Sequence, residues 1–162
     1  MVPVVEYKAL WEHIATLVVD EHGESYFSRV IMVDDEPHLQ ARIAKIANKE
    51  IFLVVVTPTS DYQSSDEDNY GETDQGIIYV LKKVSLKDMS EADEMTERAL
   101  TQSIMSMVKN VMKDLGDDTE NDNSYTRILR QHYRGKKHTD RERNYLGCNG
   151  WSLSFGLFTN QM

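Results

Sequence analysis

Cysteine is all but missing from this chain. Cys148 stands alone among 162 residues, so no internal disulfide can form, and a lone thiol inside a strand usually packs as a small hydrophobe. Proline occurs three times and glycine eight times. No glycines cluster between a strand and a helix, so the phosphate cradles built on G-x-x-x-x-G-K-[ST] or G-x-G-x-x-G are absent. No apolar run approaches the roughly 20 residues that cross a bilayer. The opening "MVPVVEYKALWEH" has no basic leader region, and Glu6 interrupts its apolar run, so a secretory signal is not expected. The expected location is cytoplasmic or particle-associated.

Catalytic signatures are lacking too. There is no G-x-S-x-G elbow, and no histidine that the sequence would set beside Cys148. His13, His22, His38, His132 and His138 form no H-x-x-x-H or H-E-x-x-H pair, and no second cysteine completes a zinc site. Asp66-x-Asp68-x-Tyr70-Gly71 imitates the start of a calcium loop. Its fifth position is Tyr70 and its twelfth is Ile77, where a bidentate glutamate is required. The expectation is a protein that is not an enzyme, with no metal and no cofactor.

What is present is ordinary globular composition, 40% hydrophobic and 28% charged, in a length suited to one domain, 1–162. "VEYKALWEHIATLVV" sets Leu10, Trp11, Ile14, Leu17 and Val18 at helical spacing, which predicts a helix over about 4–19 ended by His22-Gly23. "SYFSRVIMVD" predicts a strand over 26–33. Pro37 after an acidic cap opens a second helix carrying Leu39, Ile43, Ile46 and Ala47. "IFLVVV" reads as a strand buried on both faces. "TSDYQSSDEDNYGETDQG" is expected to be a long mobile acidic loop, about 58–75. "GIIYVLKKV" is the next strand. "SEAD" is a capping box with Ser90 as cap. It starts a third helix, with Ala92, Met95, Ala99, Ile104, Met107, Val108, Val111 and Leu115 on its apolar stripe.

Charge is unevenly spread. The chain carries a formal −9, which argues against wholesale binding to nucleic acid or anionic membrane. Residues 127–143 reverse the sign. They hold seven basic residues against Asp140 and Glu142, a surplus of five, so the remainder carries −14, that is −9 less 5. This stretch is expected to be irregular, within a basic segment of about 117–147. Its positive charge either meets the acidic surface of the same or a neighbouring molecule, or contacts phosphates with Tyr133 and Tyr145 interleaved.

The chain closes on "CNGWSLSFGLFTNQM". Trp151, Leu153, Phe155 and Leu157 point one way on a strand and should cover the helices. Ser152, Ser154 and Gly156 point the other way, against solvent, a close backbone or another subunit. The expected fold class is α+β: a mixed, mainly antiparallel sheet of about four strands, with helices packed on one face.

That order of elements, with the acidic loop, the long helix and the terminal "GWSLSFGLF", resembles the tail-terminator and tail-completion (neck) proteins of tailed phages and contractile injection systems. The resemblance implies a structural subunit that assembles into a ring, commonly a hexamer, capping the tail tube or sheath. Its partners would be copies of itself and tube or sheath subunits. On that reading Arg130, Arg134, Lys136, Lys137, Arg141, Arg143, Ser152 and Ser154 form the subunit interface. Asp61, Asp66, Glu67, Asp68, Glu72 and Asp74 line the lumen or meet a partner. The alternative is a nucleic-acid-binding or regulatory adaptor module that uses 127–143.

Overall fold

A computed structural model describes residues 2–66, 69–85, 89–118, 120, 121, 123–132 and 137–160; for 60–74, 131, 132 and 157–160 the description is of backbone and pairing. The elements in chain order are α1 (Val4–Leu17), β1 (Arg29–Val33), α2 (Glu36–Ile43), β2 (Ile51–Val56), β3 (Thr59–Asp66) and β4 (Asn69–Lys83). Then come α3 (Glu91–Asp117), α4 (Ser124–His132), β5 (Lys137–Tyr145) and β6 (Cys148–Asn160). The α+β class stands. The sheet runs β1-β2-β4-β6-β5, five strands wide rather than four, and β3 pairs with β4. Among the described strands β1 and β2 pair in parallel and the other pairs are antiparallel.

The helices do not all lie on one face. A parallel pair needs a crossover connection, and α2 is that connection between β1 and β2. It opens as expected, with Pro37 in its first turn and the Asp35 side chain accepting from the His38 backbone N–H at 2.9 Å. Its Leu39 and Ile43, with Ile46 just beyond, pack on Val33, Phe52, Val54, Leu81 and Cys148. The opposite face carries Leu53, Val55, Ile78, Val80, Leu153 and Phe155, covered by α1, α3 and α4. Consecutive residues of β2 therefore serve two cores, which is why "IFLVVV" shows no alternation.

α1 buries Tyr7, Leu10, Trp11, Ile14 and Ala15. It stops at Leu17, which is 44% exposed instead of joining the core. Gly23 does not end it. With φ of 79° it forms a later tight turn in which the Asp20 carboxylate accepts from the backbone N–H groups of His22 and Glu24. α3 begins as expected, the Ser90 hydroxyl accepting from the Asp93 N–H at 3.1 Å.

Two stretches expected to be irregular are regular. The acidic segment is a pair of antiparallel strands, β3 against the outer half of β4, from Thr59↔Gln75 to Asp66↔Asn69. Its tip, 67–68, lies outside the described residues, and so does part of the calcium-loop imitation. The basic segment forms α4 and β5. At the start of α4 Asn123 and Thr126 cap each other: the Asn123 side-chain Oδ1 accepts from Thr126 N–H, and the Thr126 hydroxyl accepts from Asn123 N–H.

Candidate functional site

β4 spans both ends of the molecule. Its residues 78–82 pair with β2 and its residues 69–75 with β3, on the same edge, while β6 runs along the other edge from Gly71↔Asn160 to Lys83↔Cys148. Beyond Gly76 the sheet continues as a three-stranded arm made of β3, outer β4 and the end of β6. The arm, 59–75 with 156–160, contains Asp61, Asp66, Glu72 and Asp74 on described backbone. Glu67 and Asp68 fall in the undescribed tip. It contains no lysine or arginine.

The arm's base is tightly fitted. Gly76 pairs with Phe155, and a Cβ at 76 would overlap the Phe155 ring and come within 2.7 Å of the Tyr7 hydroxyl. The N-terminal helix and the C-terminal strand therefore meet over a residue with no side chain. Gly150 serves a comparable end, since a Cβ there would overlap the Val80 carbonyl. Ser152 and Ser154 remain half-buried on the α2 side of the sheet, paired with Tyr79 and Ile77.

The far end of β4 is built from opposite charges. Counting back from the buried Thr101, Ile104, Met105 and Val108 of α3, the same helical face continues through Arg98, Glu97 and Glu94. Ala92, Met95 and Ala99, expected in the apolar stripe, are exposed, Met95 by 55%. In place of apolar contacts the first turns of α3 set charges on the sheet. Lys82 Nζ donates to Glu97 Oε1 at 2.7 Å, both side chains being largely buried. Arg143 Nε donates to Glu94 Oε1 at 2.6 Å. Arg141 approaches the same oxygen at 3.5 Å, and Arg98 lies 4.0 Å away. The Arg143 hydrogen bond, outweighing desolvation and aided by the neighbouring arginines, holds the Glu94 carboxyl below its ordinary range.

Three guanidinium groups thus share one carboxylate. With Lys82 and Glu97 the cluster holds four cations and two anions. Two buried donors in it, Arg98 Nε and Asn149 Nδ2, have no hydrogen-bond partner among the described residues, and neither does the acceptor Glu97 Oε2. Asn149 is 5% exposed and sits opposite Lys82 in the β4–β6 ladder. Trp151, two residues on, donates Nε1–H to the Arg98 carbonyl at 3.4 Å and anchors α3 over β6.

The expected interface residues are therefore divided. Arg141 and Arg143 join the cluster. Lys137 pairs with Phe155 at the level of the arm's base, where desolvation and then Lys109 hold its ammonium below the usual range, against Asp117. Arg130 on α4 donates to the Asp118 carbonyl at 3.1 Å. Arg134 and Lys136 lie outside the described residues. β5 sorts its charge by face: Lys137, Thr139 and Arg141 share the helix-bearing side, while His138, Asp140 and Glu142 take the other. His138 meets Asp140 there at 2.9 Å. The described basic residues of the run thus stand at separate places in the fold.

On the α2 face Tyr79 and Tyr145 stack with ring centroids 5.4 Å apart and planes 8° from parallel. Burial, with Tyr79 and Glu36 beside it, pushes the Tyr145 phenol up to about 12. Burial likewise pushes the Cys148 thiol up to about 11, against the pull of Lys83. His13 stacks on Tyr125 with centroids 5.1 Å apart. Among the described residues no group of three or more His, Cys, Asp or Glu side chains is placed to hold a metal ion, and no helix is long and apolar enough to cross a membrane.

Sequence pattern marks the two faces that meet in the cluster, though not their meeting. Glu94, Glu97, Arg98 and Thr101 repeat at i, i+3, i+4 and i+7, a helical face written in charge rather than hydrophobicity. The alternating K-H-T-D-R-E-R of β5 likewise has the period of a strand. No protein-family model matches the chain, and no curated protein matches it.

Proposed function

We propose that this chain is a non-catalytic structural subunit that assembles head to tail with copies of itself into a closed ring, in the manner of a tail-terminator or tail-completion protein of a phage-tail-like particle. One observation carries the reading: opposite charge sits at opposite ends of the same strand. By strand alternation positions 72 and 74 fall on the same side of β4 as Gly76, Ile78, Val80 and Lys82. The acidic positions stand at the arm end, and Lys82 with the arginine cluster at the other. Ten residues of strand separate Glu72 from Lys82, roughly 33 Å, so the two ends cannot meet within one molecule. Between copies they can. A contact between unlike ends is heterologous, and it propagates until it closes into a ring or extends as a filament.

The charged edge supports the same reading. Among the described residues β5 is an edge strand of the sheet, and its alternating charges, Lys137, Arg141 and Arg143 with Asp140 and Glu142, resist indiscriminate edge-to-edge pairing and leave association to charge-matched contacts. Among the described residues, Lys137 stands near the arm's base while Arg141 and Arg143 stand at the other end of β5, partly neutralised by Glu94, an arrangement that favours discrete contacts over a track for a phosphate backbone.

Light scattering on a sizing column, at low and high salt and over a range of protein concentration, tests the proposal. Assemblies several-fold above 18.7 kDa that dissociate as salt rises are the expected result. A particle of one chain's mass under every condition overturns it.

A further inference from the structure

We propose that the arginine cluster of β5 and α3 is a socket for carboxylates on the acidic arm of a second copy of this chain. The inference rests on the assembly reading above and names the contact that would carry it. Around Glu94 the arginines outnumber carboxylates three to one, and Arg98, Arg141 and Arg143 are 34%, 28% and 58% exposed along their side chains. They are sheltered enough to strengthen a charge contact and open enough to receive one. A single carboxylate has two oxygens and cannot engage three guanidinium forks fully. Of the buried cluster atoms without a partner among the described residues, Arg98 Nε and Asn149 Nδ2 are donors and Glu97 Oε2, on the carboxylate that Lys82 holds, is an acceptor; around Glu94 itself the guanidinium N–H groups outnumber the acceptor oxygens.

The arm supplies that chemistry. Its sequence holds Asp61, Asp66, Glu72 and Asp74 and no lysine or arginine, so bringing it against a site of net positive charge relieves repulsion on both sides. Glu94 acts as an internal stand-in. It occupies the arginines in the free subunit and competes with the incoming carboxylates, so association is weaker than the bare arginines would make it.

The test measures self-association of the full-length chain by light scattering and sedimentation, with circular dichroism confirming the fold of each variant. Paired Arg141→Gln and Arg143→Gln changes in the socket, or Glu72→Gln and Asp74→Gln in the arm, are expected to weaken association about tenfold or more. Glu94→Gln is expected to strengthen it several-fold, which a purely structural role for Glu94 does not produce. Mixing an arm bearing Glu72→Lys and Asp74→Lys with a socket bearing Arg141→Glu and Arg143→Glu should restore assembly that neither forms alone. If the reversed socket fails to fold, the glutamine set and Glu94→Gln still decide. Assembly that is unchanged in the glutamine variants overturns the socket and leaves the ring standing. A wild-type chain of one-subunit mass at all concentrations overturns both. Retention of a labelled DNA oligonucleotide that the socket variants lose, with self-association unaffected, overturns the carboxylate assignment in favour of phosphate.

Discussion

Arg143 and Glu94 meet at 2.6 Å, tying the sheet's edge strand to the first turn of its longest helix. The pair explains how α3 is held at an end where it buries little apolar surface. An exposed ion pair adds little stability by itself. This one is anchored on both sides, by Arg141 and Arg98 and by the neighbouring Lys82–Glu97 pair, so a network orders the helix start.

Acid should loosen that end first. The Glu94 carboxyl titrates below its ordinary value of 4.5 in the folded chain. Its contribution is therefore fully present above about pH 4.5 and fades as pH falls through the folded value. Urea midpoints measured from pH 6 down to 3 should drop for the wild type. Glu94→Gln should start lower at pH 6 and show a shallower fall.

Gly76→Ala should destabilise the fold by about 1–3 kcal/mol, the scale of overpacking. The new methyl must displace the Phe155 ring and the Tyr7 hydroxyl. Gly150→Ala should cost more, because the obstacle is the Val80 backbone and cannot rotate away. Chemical denaturation of both variants ranks them.

Lys83 Nζ donates to the carbonyls of Ile43 and Ile46, at 3.1 and 2.6 Å, capping the end of α2 from the neighbouring sheet. Lys83→Met should cost about 1.5–3 kcal/mol, the range for hydrogen bonds to a charged group. Hydrogen exchange should show the loss concentrated in α2 and the turn that follows it.

Cys148 offers a probe of opening. Its folded thiol is pushed from 9.0 to about 11, so the stability it contributes is whole below pH 9 and is lost as pH rises through 11. At pH 8 a thiol reagent should label the native chain only as fast as the α2 face opens. Labelling should speed up in Lys83→Met and stay slow in Gly76→Ala if the two cores open independently.

Much of the architecture was legible in the sequence. "IFLVVV" announced a strand serving two cores, Ser90 and Asp35 announced helix starts, and alternation in "WSLSF" placed Leu153 and Phe155 inward. Hydrophobic periodicity failed wherever the ordering was done by something else. β3 and outer β4 are polar on both sides and owe their strand form to cross-strand pairing, which no local pattern encodes. β5 alternates in charge, and the inward face of α3 turns ionic at Arg98, so an apolar stripe drawn through Ala92 and Met95 took the wrong side. α4 carries a capping pair, Asn123 and Thr126, and a short apolar face of Tyr125, Ile128 and Leu129 that the surrounding charge obscures. The cluster joins positions 82, 94, 98, 143 and 149, which local sequence does not bring together. Its partners became visible only when the register of β4, β5 and β6 was known.

The unbroken β4–β6 ladder has a mechanical consequence. Its hydrogen bonds lie across the strands, so a pull on the arm tip directed along β4 loads them in shear, all at once, instead of peeling them open singly. Tension entering at Glu72 is delivered to Lys82 through one stiff ribbon, with little left to bend the helices. A chain held at both ends of that ribbon would carry tension along β4 as a tie.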